Sequence, residues 1–496
     1  MIYKPLVITN RMNEPSAARL RALSAENPWW ETGEVPPRLA LPFRRRDFED
    51  ARRTLGGRPI VAIVGPRQVG KTTLMYQLIE DLLKGGTEPR KALFATFDYA
   101  RPSGAGRDLL SETLETYELE VLGHPLKDER GTVFVFLDEV TKLAGWHEAL
   151  KWWFDRGLPL KFVITDSSHV EVVAGMQSSL VGRCTQRRLL AMPFAEWVAY
   201  HEKSAKVGAA LEALRKRFGG TLATGSAAGA EAAFKEARRA LLGRERRIEG
   251  QFRAFLLKGG QPELLDEEDW PRASARLREY VGLIFGRDLV RHLSVRDPTA
   301  LDGLAALLAE HSGQTFEVAG LSRDLGVSLE AVRAYLGHFE VLDLAMPVEF
   351  YAGSRAARMR KQKKVYFTNV GLGNAILGRL DPSLFERPDE VGRVVETVVA
   401  DHCRRMLEAE AGPGAKLRYW RNRARKEVDL VMPLRRGPVP VEVKYQPRVT
   451  NADIRPVVDF LEEHEGAPFG VVVTRDEWGR DARVLKVPAR WFVLAA

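Results

Sequence analysis

The stretch Gly65-Pro66-Arg67-Gln68-Val69-Gly70-Lys71-Thr72-Thr73 completes the pattern G-x-x-x-x-G-K-[ST]. It stands between the apolar run Ile60 to Val64 and a helical pattern opening at Thr72. Those residue types suit one task. The two glycines let the backbone wrap a polyphosphate with its N–H groups turned inward, and the helix that follows presents its positive end to the anion. Lys71 is expected on the β- and γ-phosphates. Thr72 is expected to give a hydroxyl to Mg²⁺, an ion that prefers phosphate, water and one or two protein oxygens.

A second element supplies the rest of such chemistry. Val133 to Leu137 is apolar on both faces, as a buried parallel strand should be, and it ends in Asp138-Glu139. Acids at that place are costly without a nearby cation, so Asp138 reads as the Mg²⁺ partner and Glu139 as the base that orients water. The two motifs together predict hydrolysis of ATP with Mg²⁺. Ser167, in Thr165-Asp166-Ser167-Ser168, is the candidate sensor of the γ-phosphate, an ordinary turn or helix cap being the alternative. Arg183, just before the next strand, is a candidate finger reaching a neighbouring subunit's nucleotide, which requires an oligomer. The alternative is a surface arginine.

These residues need a sheet to hold them. Ile60 to Val64, Ala92 to Phe97, Val133 to Leu137, Lys161 to Thr165 and Arg187 to Ala191 are the expected strands, alternating with helical patterns in a parallel α/β sheet. Ligands on such sheets sit at the carboxyl ends of strands, where both motifs lie. The basic preface, residues 1–58, contains Asn27-Pro28-Trp29-Trp30, whose rings are expected to pack on the following domain. Residues 203–250 read as a helical insertion with a flexible Gly-rich tip around Gly219-Gly220 and Gly225 to Gly229. Its arginines are expected on a solvated face.

Further along, Leu321 to Ser328 followed by Leu329 to Phe339 has the form of helix, Gly-containing turn and capped helix. It is expected to belong to a winged helix, used for reading DNA or for protein packing. In the DNA-reading version Glu330, Arg333 and His338 are expected on or near the exposed face, with Val332, Leu336 and Phe339 in the core. Arg355, Arg358, Arg360, Lys361, Lys363 and Lys364 then follow with no acid among them. They are candidate contacts to a phosphate backbone, or else a solvated loop.

The last region carries its own constellation: Glu396 in a helical stretch, Asp429 in the strand Glu427 to Val431, and Glu442 and Lys444 on one face of the strand Val441 to Tyr445. Two acids can hold Mg²⁺ beside a scissile phosphate, with a lysine to orient water. A pair of strands with polar outer faces is the alternative.

At 496 residues and 45% hydrophobic content the chain is expected to hold three or four domains with ample cores. The net charge of +9 points to a polyanionic partner, with DNA the usual one. Cys184 and Cys403 are the only cysteines, too few for a disulfide framework or zinc cluster. The opening Met1-Ile2-Tyr3-Lys4-Pro5 does not begin a signal peptide, and no apolar run approaches the ~20 residues that span a bilayer. A cytoplasmic protein without membrane contact is expected.

With these residues in hand, the sequence resembles a family of bacterial and archaeal AAA-type ATPases whose carboxyl-terminal domain has the PD-(D/E)xK nuclease-like fold. The resemblance covers most of the chain. It rests on Gly65 to Thr73, Asp138-Glu139 followed by Trp146, Gly182-Arg183, Pro193-Phe194 with Glu196, and Gly259-Gly260 with Pro262-Glu263. Lys363 to Phe367, Tyr419-Trp420-Arg421, Glu427 to Val431 and Val441 to Tyr445 complete the series. It implies an α/β protein: a preface at 1–58, an AAA-type core at 59–200, a helical region at 201–295, a winged helix at 296–375 and a nuclease-like domain at 385–496. Two residues depart from the pattern, Asp166 where a glycine is common and Asn369 where an acid is frequent. The expected function is an ATP-driven oligomer, in one form a hexameric ring, that remodels or translocates DNA. An ATP-gated nuclease and a nucleotide-controlled protein-binding switch are the alternatives.

Overall fold

The computed structural model describes residues 14–98, 109–166, 169–289, 298–354 and 361–496. Ser167, Arg355, Arg358 and Arg360 lie outside the described residues. The chain divides into two compact units, one ending at Leu190 and the other beginning at Ala191.

The first unit is built on five parallel strands: β1 Ile60–Val64, β2 Ala92–Thr96, β3 Val133–Asp138, β4 Leu160–Asp166 and β5 Cys184–Arg188. Their order across the sheet is β2-β3-β4-β1-β5. Both faces are covered, so β1 is buried at every position and reads as a continuous apolar run. The last strand lies three residues earlier than the apolar run Arg187 to Ala191 suggests. As a sheet edge it carries Thr185, Gln186, Arg187 and Arg188, a polar stretch that pattern reading passes over.

The opposite edge, β2, is covered by the preface. Asn27 accepts from the N–H of Phe94 at 2.6 Å and donates to its carbonyl at 2.7 Å. The indole N–H groups of Trp29 and Trp30 both donate to the carbonyl of Ala92 at 2.9 Å. Glu26 accepts from the N–H of Thr96 at 3.2 Å. Side chains thus replace a sixth strand along the open row of β2, and the tryptophans pack on the domain as expected.

In the second unit a single mixed sheet takes the order β13-β14-β12-β11-β10-β9-β7-β8-β6. Its strands are β6 Thr315–Phe316, β7 Ala345–Phe350, β8 Lys363–Phe367, β9 Arg418–Arg421, β10 Glu427–Leu434, β11 Gly437–Lys444, β12 Gly470–Thr474, β13 Gly479–Asp481 and β14 Val484–Pro488. Helices Pro298–Glu310, Val318–Leu325 and Leu329–Val341 precede the antiparallel pair β7 and β8. Gly326, with φ of 66°, ends one helix, and Ser328 caps the next by accepting from Ala331 N–H. Parallel pairing of Glu349 with Arg418 and of Phe350 with Tyr419 joins this part to the carboxyl-terminal strands without a break.

The insertion departs from its expected form. Gly219-Gly220 lie inside the helix Ala205–Thr224, and the turn to the next helix consists of Gly225 and Ser226 alone. Gly219 faces the exposed Glu410, whose Oε1 would lie 2.5 Å from a Cβ there. Ser226 caps the second helix, so the tip is a tight connection with its donors satisfied. Asn369, the departure near β8, caps the helix Val370–Ile376 by accepting from Leu372 N–H at 3.2 Å. Asn and Asp serve equally there.

Candidate functional site

The parallel registers bring Thr96 beside Asp138, Leu137 beside Ile164 and Val64 beside Asp166. The carboxyl ends of β3, β4 and β1 therefore converge on the loop 65–70. Gly65 sits so close to the end of β5 that a Cβ would fall 1.9 Å from the carbonyl oxygen of Leu189. Gly70, with φ of 95°, turns the loop into the helix Lys71–Lys84, whose free N–H groups face the loop. Arg45, from the preface, donates to the carbonyls of Val69 at 3.2 Å and Leu190 at 2.7 Å, fixing loop and strand end together.

Lys71 is buried, and its ammonium donates to the carbonyls of Gly65 at 2.9 Å and Pro66 at 2.8 Å. Burial lowers its pKa, while Glu139, Asp138 and Asp166 pull the other way and Arg67 adds to the lowering. Thr72 Oγ1 donates to Asp138 Oδ2 at 2.9 Å, and Thr165 Oγ1 donates to Asp138 Oδ1. Both oxygens of Asp138 are thereby aimed. Glu139 follows in a left-handed conformation, φ 54° and ψ 44°, unusual for a residue with a side chain. The turn after it is tied down by Asp166, whose Oδ2 accepts from Thr141 N–H at 2.8 Å and Thr141 Oγ1 at 2.6 Å.

Lys71, Thr72, Asp138 and Glu139 are thus gathered at one place. Arg183 is not: it lies at the amino end of β5, where its carbonyl accepts from Ile60 N–H, whereas the phosphate loop follows the carboxyl end of β1. It is partly exposed and forms a two-pronged ion pair with Asp155, Nε–Oδ1 2.7 Å and Nη2–Oδ2 3.1 Å. Sequence reasoning missed Arg45 and Thr141. It placed Thr165 and Asp166 at a strand end where a γ-phosphate could be sensed, but preferred Ser167 for that role and noted Asp166 as a departure from pattern. A polar residue ending a buried strand was the available signal for Thr165 and Asp166.

A hydroxyl and a carboxylate side by side beneath a loop of inward N–H groups suit Mg²⁺ held with a triphosphate, since that ion takes few protein oxygens. Thr72 and Asp138 are the residues that fit it.

The second unit has a separate cluster. Glu396 on the helix Pro388–Ala411, Asp429 on β10, and Glu442 and Lys444 on β11 come together here. Lys444 donates to Glu442 Oε1 at 2.5 Å, Asp429 N–H donates to Glu442 Oε2 at 3.1 Å, and Val443 N–H donates to Asp429 Oδ2 at 2.9 Å. Burial and the neighbouring Asp429 push both Glu396 and Glu442 up to about 8.

Lys364 also belongs here, which corrects its expected place on a DNA-facing loop. Its side chain is 2% exposed, and its ammonium stands 2.5 Å from Glu427, 3.4 Å from Asp429 and 4.0 Å from Glu396. A phosphate backbone has no access to it. Burial works against its charge, yet Asp429, Glu396 and Glu427 outweigh that and hold its pKa above the ordinary lysine value. Tyr366, two residues on and on the same face, donates to Glu396 Oε1 at 2.7 Å. Lys363 points the other way, is half-exposed and lies 3.7 Å from Glu349. Lys361 and Arg333 are exposed. With Lys364 in place the donor set does not fit a divalent cation, and among the described residues no group of three or more His, Cys, Asp or Glu is arranged to hold one.

Among the described residues no helix is long and apolar enough to cross a membrane. Residues 249–383 and 391–489 match two domains of unknown function, DUF8612 and DUF4143. The chain is similar to the uncharacterized protein Rv2008c of Mycobacterium tuberculosis, 25% identical over 404 residues that cover 81% of this chain and 74% of that one. The same figures hold for the uncharacterized protein Mb2031c of Mycobacterium bovis. Among solved structures, the Walker-type ATPase paby2304 of Pyrococcus abyssi aligns over 68% of this chain and 96% of its own, at 18% identity and a TM-score of 0.40. The ORC2 protein of Aeropyrum pernix in its ADP form aligns over 70% and 96%, at 15% identity and a TM-score of 0.32. Likeness at that level carries no argument about function. Residues 57–198 match the AAA domain, so the site of Lys71, Thr72, Asp138 and Glu139 lies in an AAA domain of P-loop ATPase type.

Proposed function

We propose that the chain hydrolyses ATP and uses the difference between its nucleotide states to remodel or translocate DNA as a homo-oligomer. The observation that carries the reading is the buried Lys71 ammonium beside the Thr72–Asp138 pair at the carboxyl ends of parallel strands. Lys71 binds the β- and γ-phosphates, exchanging its two loop carbonyls for stronger charged acceptors. Thr72 and Asp138 hold Mg²⁺, which when bound neutralises charge on the phosphate oxygens. Glu139 orients the attacking water and takes its proton. Ser167 senses the γ-phosphate, and Arg183 serves the nucleotide of a neighbouring subunit, leaving its pair with Asp155 to do so.

For DNA, the helices Val318–Leu325 and Leu329–Val341 with the β7–β8 pair are read as a winged helix that presents Arg333. Lys361 and Lys363, together with Arg355, Arg358 and Arg360, contact phosphates. Such contacts position without reading sequence and weaken steeply with salt. The test is the ATPase rate against single-stranded, duplex and branched DNA at low and high salt, with particle images to count subunits. Stimulation by DNA that fades with salt is expected, with a loss of about 100-fold or more in Lys71→Ala. A Lys71→Ala chain that hydrolyses ATP at the wild-type rate, or a wild type indifferent to every DNA, overturns the reading.

A further inference from the structure

The carboxylate cluster of the second unit has the residue types of a metal-dependent hydrolytic site, but most of its oxygens already accept a hydrogen bond or face an ammonium. Asp429 directs Oδ1 to Lys364 and Oδ2 to the N–H of Val443. Glu442 directs Oε1 to Lys444 and Oε2 to the N–H of Asp429. Glu396 Oε1 accepts from Tyr366 and faces Lys364. The backbone at Gly313 also lies against Glu396, so closely that a Cβ there would be 2.7 Å from Oε1.

An ammonium has three donors and a compact charge, and Lys364 has three carboxylates around it. A divalent ion would need the same oxygens, with Mg²⁺ asking for about six at roughly 2.1 Å. The lysine comes from β8, more than thirty residues before the first of the acids, so it is delivered by the shared sheet rather than by the strands that carry the cluster. A buried ammonium is retained only where its partners are fixed, and removing it leaves buried acids without a counter-charge.

We propose that Lys364 is a permanent internal cation: the cluster of Glu396, Glu427, Asp429 and Glu442 takes no divalent metal in the native chain, and Lys364→Met turns it into a divalent-cation site. The proposal is independent of the nucleotide site. It means that any action of this domain on DNA is metal-free binding rather than metal-dependent cutting.

The experiment uses the full chain without nucleotide and Mn²⁺ as the probe, with free Mn²⁺ read by its electron paramagnetic resonance signal and unfolding followed by heat. Wild type and Asp429→Asn are expected to bind Mn²⁺ alike. Lys364→Met is expected to bind an additional Mn²⁺ per chain, to be stabilised by it, and to lose both properties in Lys364→Met combined with Asp429→Asn. A Lys364→Met chain that folds only when Mn²⁺ is added supports the proposal equally. Wild-type Mn²⁺ binding that falls in Asp429→Asn overturns it. So does a Lys364→Met chain that binds no more Mn²⁺ than wild type, or one that Mn²⁺ does not bring to the folded state.

Discussion

Asn27 holds Phe94 by both of its peptide groups, accepting from the N–H at 2.6 Å and donating to the carbonyl at 2.7 Å. A side-chain amide so placed imitates a neighbouring strand at one position of an edge.

Asn27 is fully buried, so Asn27→Ala strands a donor and an acceptor of β2 away from water. The expected loss is about 3 kcal/mol in urea unfolding, with more self-association by light scattering as the strand row opens. Asn27→Asp is expected to lose at least as much, because a buried carboxylate without a counter-charge would face the carbonyls of Leu23 and Phe94 that the amide donates to. Equal stability of wild type and Asn27→Ala would show that the Asn27 amide is not needed to close the sheet edge.

Asp166 and Thr141 set the turn that begins at Glu139, and Glu139 is proposed to orient water. Thr141→Val removes the hydroxyl donor at nearly constant volume, and Asp166→Asn keeps the shape while weakening the charged acceptor. Both are expected to lower kcat for ATP hydrolysis about 10-fold to 100-fold with little change in KM. A raised KM with unchanged kcat would instead place the turn among the groups that bind ground-state nucleotide.

His402 predicts an acid sensitivity of the second unit. It is buried, with Nδ1 donating to the carbonyl of Val398 at 2.7 Å and Nε2 accepting from Phe194 N–H at 3.0 Å, so the neutral tautomer satisfies both nitrogens. Burial lowers its pKa to about 4 from 6.5; Asp401 and its bond to Val398 pull upward, while Arg405 and Arg404 lower it further. The unfolded chain therefore takes up the proton first as pH falls. The stabilisation is present above about 6.5, declines below it and is gone once the folded pKa near 4 is passed. Between pH 7 and pH 5 the expected loss is about 2 kcal/mol. Denaturant unfolding at the two pH values checks it: His402→Asn should start less stable and vary less with pH. A variant that keeps the full wild-type pH slope would remove His402 as its source.

The nucleotide site was the most legible part of the chain, because its backbone path demands particular residues at fixed spacing. Gly65, Gly70 and Lys71 are local requirements, and Asp138 ends a strand whose burial is visible in its own apolar run. Residues that act across long chain separations without a motif at either end were not legible. Nothing near Asn27 announces Phe94, which lies 67 positions away, and nothing near Lys364 announces Asp429, 65 positions away. Six cations in a short stretch read most simply as one solvated patch. Strand alternation sends Lys363 outward and Lys364 inward, and only the pairing of β8 reveals which face is buried. The displacement of β5 has a similar cause: an edge strand with one wet face lacks the apolar run that identifies its neighbours.

The in-register link between Glu349–Phe350 and Arg418–Tyr419 bears on how the molecule can be dissected. A fragment starting near residue 385 would retain the acids but lack Lys364, and β9 would present a raw row of peptide groups where β7 belongs. Such a piece is a poor proxy for the intact chain, prone to clumping and to picking up stray metal at the cluster that Lys364 otherwise fills.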